Sequence, residues 1–145
     1  MPKPHPYSLP GAAALLIVLI QGCAAPEVKL PPIPLPDGNW ELVTATFAEH
    51  GRIPGAARAT LTFSNGQLSA FSGCNTATGA LGGGDGQLEV KDLAMTRRAC
   101  PEPLGWFEFR YFRMLRTAPT YHVDGDVLAI GSGNDRARFR RVPAP

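Results

Sequence analysis

Cysteine is scarce in this chain, with three in 145 residues. Three are too few for a disulfide-knotted scaffold, and they show none of the close Cys/His ligand spacings of a zinc module. Histidine is equally sparse (His5, His50 and His122), which leaves little material for imidazole chemistry. Charge of either sign is also low. Fourteen Lys and Arg face 12 Asp and Glu for a formal +2, so bulk charge supports neither a polyanion binder nor an acidic tail. Long hydrophobic runs are missing as well. The one extended apolar stretch, Gly11 to Ile20, would cover roughly 15 Å as a helix, about half the hydrocarbon thickness of a bilayer. What the chain does have is 16 Gly and 15 Pro. That abundance of turn residues argues against a helical bundle and for one small domain of short strands.

The N-terminal segment, with Lys3 and His5 ahead of the apolar run, reads as an export leader. It closes on Ile20-Gln21-Gly22-Cys23, which resembles the lipobox of bacterial lipoproteins, with Gln21 standing where a small residue is usual. The resemblance implies cleavage after residue 22, acylation of Cys23 and attachment to the membrane through that lipid. Ala24 and Ala25 follow without the aspartate that retains such proteins at the inner membrane, which implies the outer membrane facing the periplasm. An ordinary secretory leader that leaves Cys23 as a thiol is the alternative. Residues 23–37 contain Pro26, Pro31, Pro32, Pro34 and Pro36 and predict a polyproline tether reaching roughly 40 Å. If Cys23 carries lipid, Cys74 and Cys100 remain, free to pair in an oxidising compartment.

The domain, residues 38–142, begins with a strand in which Trp40 and Leu42 share a face on the way to Phe47. His50 to Gly55 predicts a loop. Ala59, Leu61 and Phe63 alternate with polar residues up to Asn65-Gly66, the pair favoured in a type I′ hairpin turn, and Leu68 and Ala70 mark the return strand. Thr76 to Gly86, with five glycines, predicts a loop; it lacks the lysine and hydroxyl residue of a phosphate-binding loop. Gln87 to Val90 predicts a short strand. One helix is expected over Pro103 to Thr117, with Leu104, Phe107, Tyr111 and Leu115 as its buried stripe, Glu108 and Phe112 beside it, and Trp106, Phe109, Arg110 and Arg116 nearer the exposed side. Asp124-Gly125 predicts a second hairpin turn. In the last strand, Ala137 and Phe139 point inward while Arg136, Arg138 and Arg140 line the other face. The expected class is α+β, predominantly β: a single curled antiparallel sheet, partly open and barrel-like, with one helix packed against it.

Trp40-Glu41-Leu42, Leu61-Thr62-Phe63, Gly73-Cys74-Asn75, Thr96-Arg97-Arg98-Ala99-Cys100, Glu108 with Tyr111-Phe112, and Asp124-Gly125-Asp126 together resemble the META domain of the HslJ-like family. The resemblance spans nearly all of Asn39 to Arg141. It departs at Arg98, where methionine is common, and in the missing aromatic after Asn75. It implies a small, mostly antiparallel fold, often secreted or lipid-anchored, in some members linked to stress, with no common enzymatic activity or cofactor.

Chemistry is thin. A thiol enzyme needs a cysteine beside a histidine and an orienting group, and paired Cys74 and Cys100 would offer no resting nucleophile. No set of residues presents a base, a nucleophile and an electrostatic stabiliser at recognisable spacing, so no enzyme, metal or cofactor is expected. Glu108, an acid at the edge of an apolar stripe, requires a partner, and Arg97 is the expected one. Asn75, Thr96, Arg97 and Glu108 thus form a candidate polar cluster, either a small functional site or a lock between helix and loop. Arg136, Arg138 and Arg140 form a candidate anion-facing stripe, or a shield for an exposed sheet face. The expected partners are the membrane, through the lipid, and an envelope protein or anionic envelope component, with nucleic acid excluded by export. Function is expected to be that of a non-catalytic envelope module, with an enzyme acting on an envelope component as the alternative.

Overall fold

The computed structural model describes residues 35–48, 51–54, 58–84 and 86–143. The leader, Cys23, most of the tether and His50 lie outside the described residues.

The chain forms β1 (Gly38–Phe47), β2 (Gly51–Pro54), β3 (Thr60–Ser64), β4 (Gln67–Phe71), β5 (Thr76–Gly82), β6 (Glu89–Met95), α1 (Leu104–Arg116), β7 (Thr120–Asp124), β8 (Val127–Ser132) and β9 (Asp135–Val142). Every strand pairing is antiparallel, in the order β6-β5-β4-β3-β1-β9-β8-β7, with β2 alongside the second half of β1. The sheet curls until its ends meet at one level. There Gln87 bridges Thr120, Leu88 N donates to the Pro119 carbonyl at 2.8 Å, and Tyr121 N donates to the Gly86 carbonyl at 2.7 Å. The expected class, a curled and partly open sheet with one helix, is the observed one.

Strand β1 lies at the centre and shows why the sheet curls. Its buried residues are Trp40 and Leu42, then Ala45 and Phe47, a change from even to odd positions. A strand alternates faces with period two, so the change needs one extra residue, and the register against β9 shifts between Leu42 and Thr44. The bulge bends β1 and lets both of its halves face the core. At Asn65-Gly66 both residues have positive φ (50° and 72°), as a type I′ turn demands, and Ser64 pairs with Gln67 across it.

Helix α1 packs Phe107, Tyr111, Phe112, Met114 and Leu115 into the barrel with Trp40, Phe47, Phe63 and Phe139. Its start is held by Glu102, whose carboxylate accepts the Trp106 N–H at 3.2 Å. At its end Thr117 Oγ1 donates to the Met114 carbonyl at 2.8 Å, Ala118 takes a positive φ of 47°, and Pro119 follows.

Several sequence expectations change, among them the strand expected over Gln87 to Val90, which runs Glu89–Met95. Residues 51–54 are a strand on β1, not a loop. Thr76–Gly82 is strand β5, paired on both sides. Its inward residues Ala77 and Gly79 are too small to register as a hydrophobic pattern. Gly79 has no side chain because β6 passes close: a Cβ there would lie 2.7 Å from the Lys91 carbonyl oxygen and 2.7 Å from Val90 Cγ1. The second hairpin turns at Gly125-Asp126, one residue later than expected, because Asp124 pairs with Val127. Arg110 is buried, not exposed. Its guanidinium lies 3.5 Å from the Asp135 carboxylate and 5.9 Å from the Phe47 ring centre, so charge pairing and ring stacking place it inside.

Candidate functional site

Two segments far apart in sequence meet beside α1. The turn Ser72–Asn75 joins β4 to β5, and Thr96–Cys100 leads from β6 towards the helix. Cys74 and Cys100 join them through a disulfide with their Cα atoms 6.1 Å apart.

Between the two segments sits the Asn75 side chain, 1% exposed. An amide offers two acceptor lone pairs and two donor hydrogens, and all four are in use. Oδ1 accepts from Thr96 Oγ1 and from Arg98 N, each at 2.8 Å. Nδ2 donates to the Arg98 carbonyl and to Glu108 Oε1, each at 2.9 Å, and lies 3.2 Å from Cys100 Sγ. Glu108 Oε2 in turn accepts the Asn75 backbone N–H at 3.1 Å and the Ser72 hydroxyl at 2.5 Å. Ser72, fully buried, also accepts the N–H groups of Cys74 at 3.2 Å and Asn75 at 3.0 Å. Thr96 Oγ1 completes the set by accepting Thr76 N–H at 3.1 Å. The cluster therefore satisfies, around two buried side chains, backbone groups that the two turns would otherwise leave without partners.

Of the four residues expected in this cluster, Asn75, Thr96 and Glu108 are brought together. Arg97 is not. Its side chain is exposed, and the expected ion pair with Glu108 is not formed; Ser72 and Asn75 take the place of the guanidinium. Ser72 is the member that sequence reasoning missed. Its signal was local: a serine two and three residues before N–H groups that a tight turn leaves free, the arrangement in which a hydroxyl caps a turn.

Residues 33–144 match the META domain family. The chain belongs to that family. Solved structures agree on the fold of this META domain. An NMR structure of a protein from Burkholderia xenovorans is 25% identical with a TM-score of 0.63, covering 99% of this chain and 100% of that one. A crystal structure of a DUF4847 family protein from Bacteroides vulgatus is 13% identical with a TM-score of 0.51, covering 72% of this chain and 92% of that one. No protein of curated function matches in sequence.

In this META domain Cys74, Cys100 and Glu108 place three potential ligand atoms within 4.8 Å of one another. The two sulfurs are bonded to each other and carry no thiolate charge, so the oxidised protein offers a cation only the carboxylate. Arg136, Arg138 and Arg140 share the exposed face of β9, with Ala137 and Phe139 buried between them, but their surroundings differ. Arg136 folds back over the β8–β9 turn, with Nη1 donating to the Gly133 carbonyl at 2.5 Å and the Asp135 carbonyl at 2.8 Å. Arg138 and Arg140 are exposed beside it. Arg141 instead stacks on Trp40, 4.5 Å from the ring centre, and donates to the Asp37 carbonyl at 3.1 Å.

Proposed function

We propose that this META-domain chain is an exported, lipid-anchored module of the cell envelope that works by binding or by supporting the envelope under stress, without catalysis. The observation that carries this reading is the saturation of the Ser72–Asn75–Glu108 cluster. Its hydroxyl, amide and carboxylate bond to one another and to turn backbone, and both neighbouring sulfurs are joined, so no nucleophile or base is left directed at a substrate. A locked polar cluster of this kind rigidifies a small domain. The lipobox-like Ile20 to Cys23 and the proline-rich tether supply the address.

Two experiments test the reading. Metabolic labelling with an alkyne fatty acid should mark the wild type and not Cys23→Ser; a secreted wild type without label would sink the anchor. Alanine variants at Ser72, Asn75 and Glu108 should lose stability together with envelope function. A variant that keeps its fold yet loses function would favour an enzyme acting on an envelope component instead.

A further inference from the structure

The near-balanced charge of the chain is unevenly spread. Residues 91–116 hold Lys91, Arg97, Arg98, Arg110, Arg113 and Arg116 against Asp92, Glu102 and Glu108, six cations to three carboxylates, or +3 in a chain of +2. Arg110 is engaged by Asp135, and Glu108 by Ser72 and Asn75. Arg97, Arg98, Arg113 and Arg116 remain exposed.

In the same region a groove of about 320 Å³ is lined by Met95, Phe109, Phe112, Arg113 and Arg116, with Glu108 in its wall. Phe109 is 63% exposed and is one of two large apolar side chains so placed among the described residues, the other being Val43 on β1. The helix does not need it for packing, since Phe107, Tyr111, Phe112, Met114 and Leu115 fill the barrel. Arg113 stands one turn further along the helix from Phe109. Arg116 reaches across to β6, donating to the Leu93 carbonyl at 3.4 Å, which keeps one guanidinium at the edge of the sheet. An apolar contact and two cations therefore converge on one concavity.

We propose that this groove binds an acidic peptide segment of a partner protein, with an aromatic or aliphatic side chain packed on Phe109 and carboxylates paired with Arg113 and Arg116. A peptide fits better than a lipid surface for one reason. The site is concave. The assignment goes beyond the envelope-module reading and does not depend on lipidation of Cys23.

The test is selection of a phage library of random dodecapeptides on the full chain in detergent, with Phe109→Ser and Arg113→Glu as comparators. Both replaced side chains are exposed, and circular dichroism verifies that the variants fold. Wild type should enrich peptides that combine Asp or Glu with an aromatic or aliphatic residue, and each variant should bind them at least about tenfold more weakly. Added salt should weaken that binding. Failure to enrich any peptide, enrichment of non-acidic peptides, or equal binding by the variants would overturn the proposal. So would vesicles of anionic phospholipid that bind wild type and lose binding in both variants, because the groove would then be a membrane contact.

Discussion

Asn75 Nδ2 donates to Glu108 Oε1 at 2.9 Å across 33 residues of sequence. This bond fastens the β4–β5 turn to the middle of α1. Through Thr96 and Arg98 the same amide also holds the segment that carries Cys100. Turn, disulfide and helix thus share one buried side chain, and damage to it propagates to all three.

Asn75→Ala should lower stability by roughly 2–3 kcal/mol, because Arg98 N, the Arg98 carbonyl and Glu108 each lose a partner in a part-buried cluster. Asn75→Asp should cost more, since it sets a second carboxylate against Glu108. Urea denaturation of both variants measures the effect. An Asn75→Ala protein as stable as wild type would show that the amide is not the lock.

Reduction of the disulfide should also weaken the domain. With a sequence separation of 26, the chain-entropy treatment assigns the closed loop about 3.5 kcal/mol, a large share of a small domain's stability. Thermal unfolding with and without reductant measures the difference, and thiol titration of the native protein gives an independent reading. Two titratable thiols in protein from an oxidising compartment would refute the bond.

Arg136, Arg138 and Arg140 of β9 should separate in their effects. Arg136→Ala removes two hydrogen bonds to the β8–β9 turn and should cost about 1 kcal/mol. Arg138→Ala and Arg140→Ala touch exposed side chains and should stay within about 0.5 kcal/mol of wild type. Equal losses at all three positions would mean that the stripe acts as a unit.

Alkaline pH should unfold the protein through Tyr111. Burial raises its phenol well above the ordinary value of 10.0, so the native state holds the proton where the unfolded state sheds it. Stability from this group is fully present below about pH 10 and is lost as pH rises further. Tyr111→Phe should flatten the alkaline limb of a stability–pH curve. At neutral pH it should cost roughly 1 kcal/mol, for the bond from Tyr111 Oη to the Thr60 carbonyl. An unchanged alkaline limb would place the sensitivity elsewhere.

Much of the fold is legible locally. Asn65-Gly66 specifies its own turn, the alternation of Ala59, Leu61 and Phe63 specifies a strand face, and the period of Leu104, Phe107, Tyr111 and Leu115 specifies the helix. Strand β5 is not legible in this way. Gly79 is small to suit a neighbour, and the neighbour is supplied by Val90 and Lys91 of β6, which no local pattern reveals. The polar cluster was half legible for the same reason. Asn75, Thr96 and Glu108 stand out as polar residues in apolar company, but charge alone proposed Arg97 as the partner, where turn geometry chose Ser72.

By itself, then, the sequence determined what depends on neighbours within a few residues: the Asn65-Gly66 turn, strand alternation, and the helix with its stops at Thr117 to Pro119. Only the tertiary structure decided which polar atoms meet. Hydrogen bonds such as Asn75 to Glu108, and ion pairs such as Arg110 to Asp135, depend on distances of a few ångströms set jointly by the bulge in β1, the curl of the sheet and the seating of α1. Those distances are properties of the packed whole, and so the burial of Arg110 and the exposure of Arg97 emerge only there.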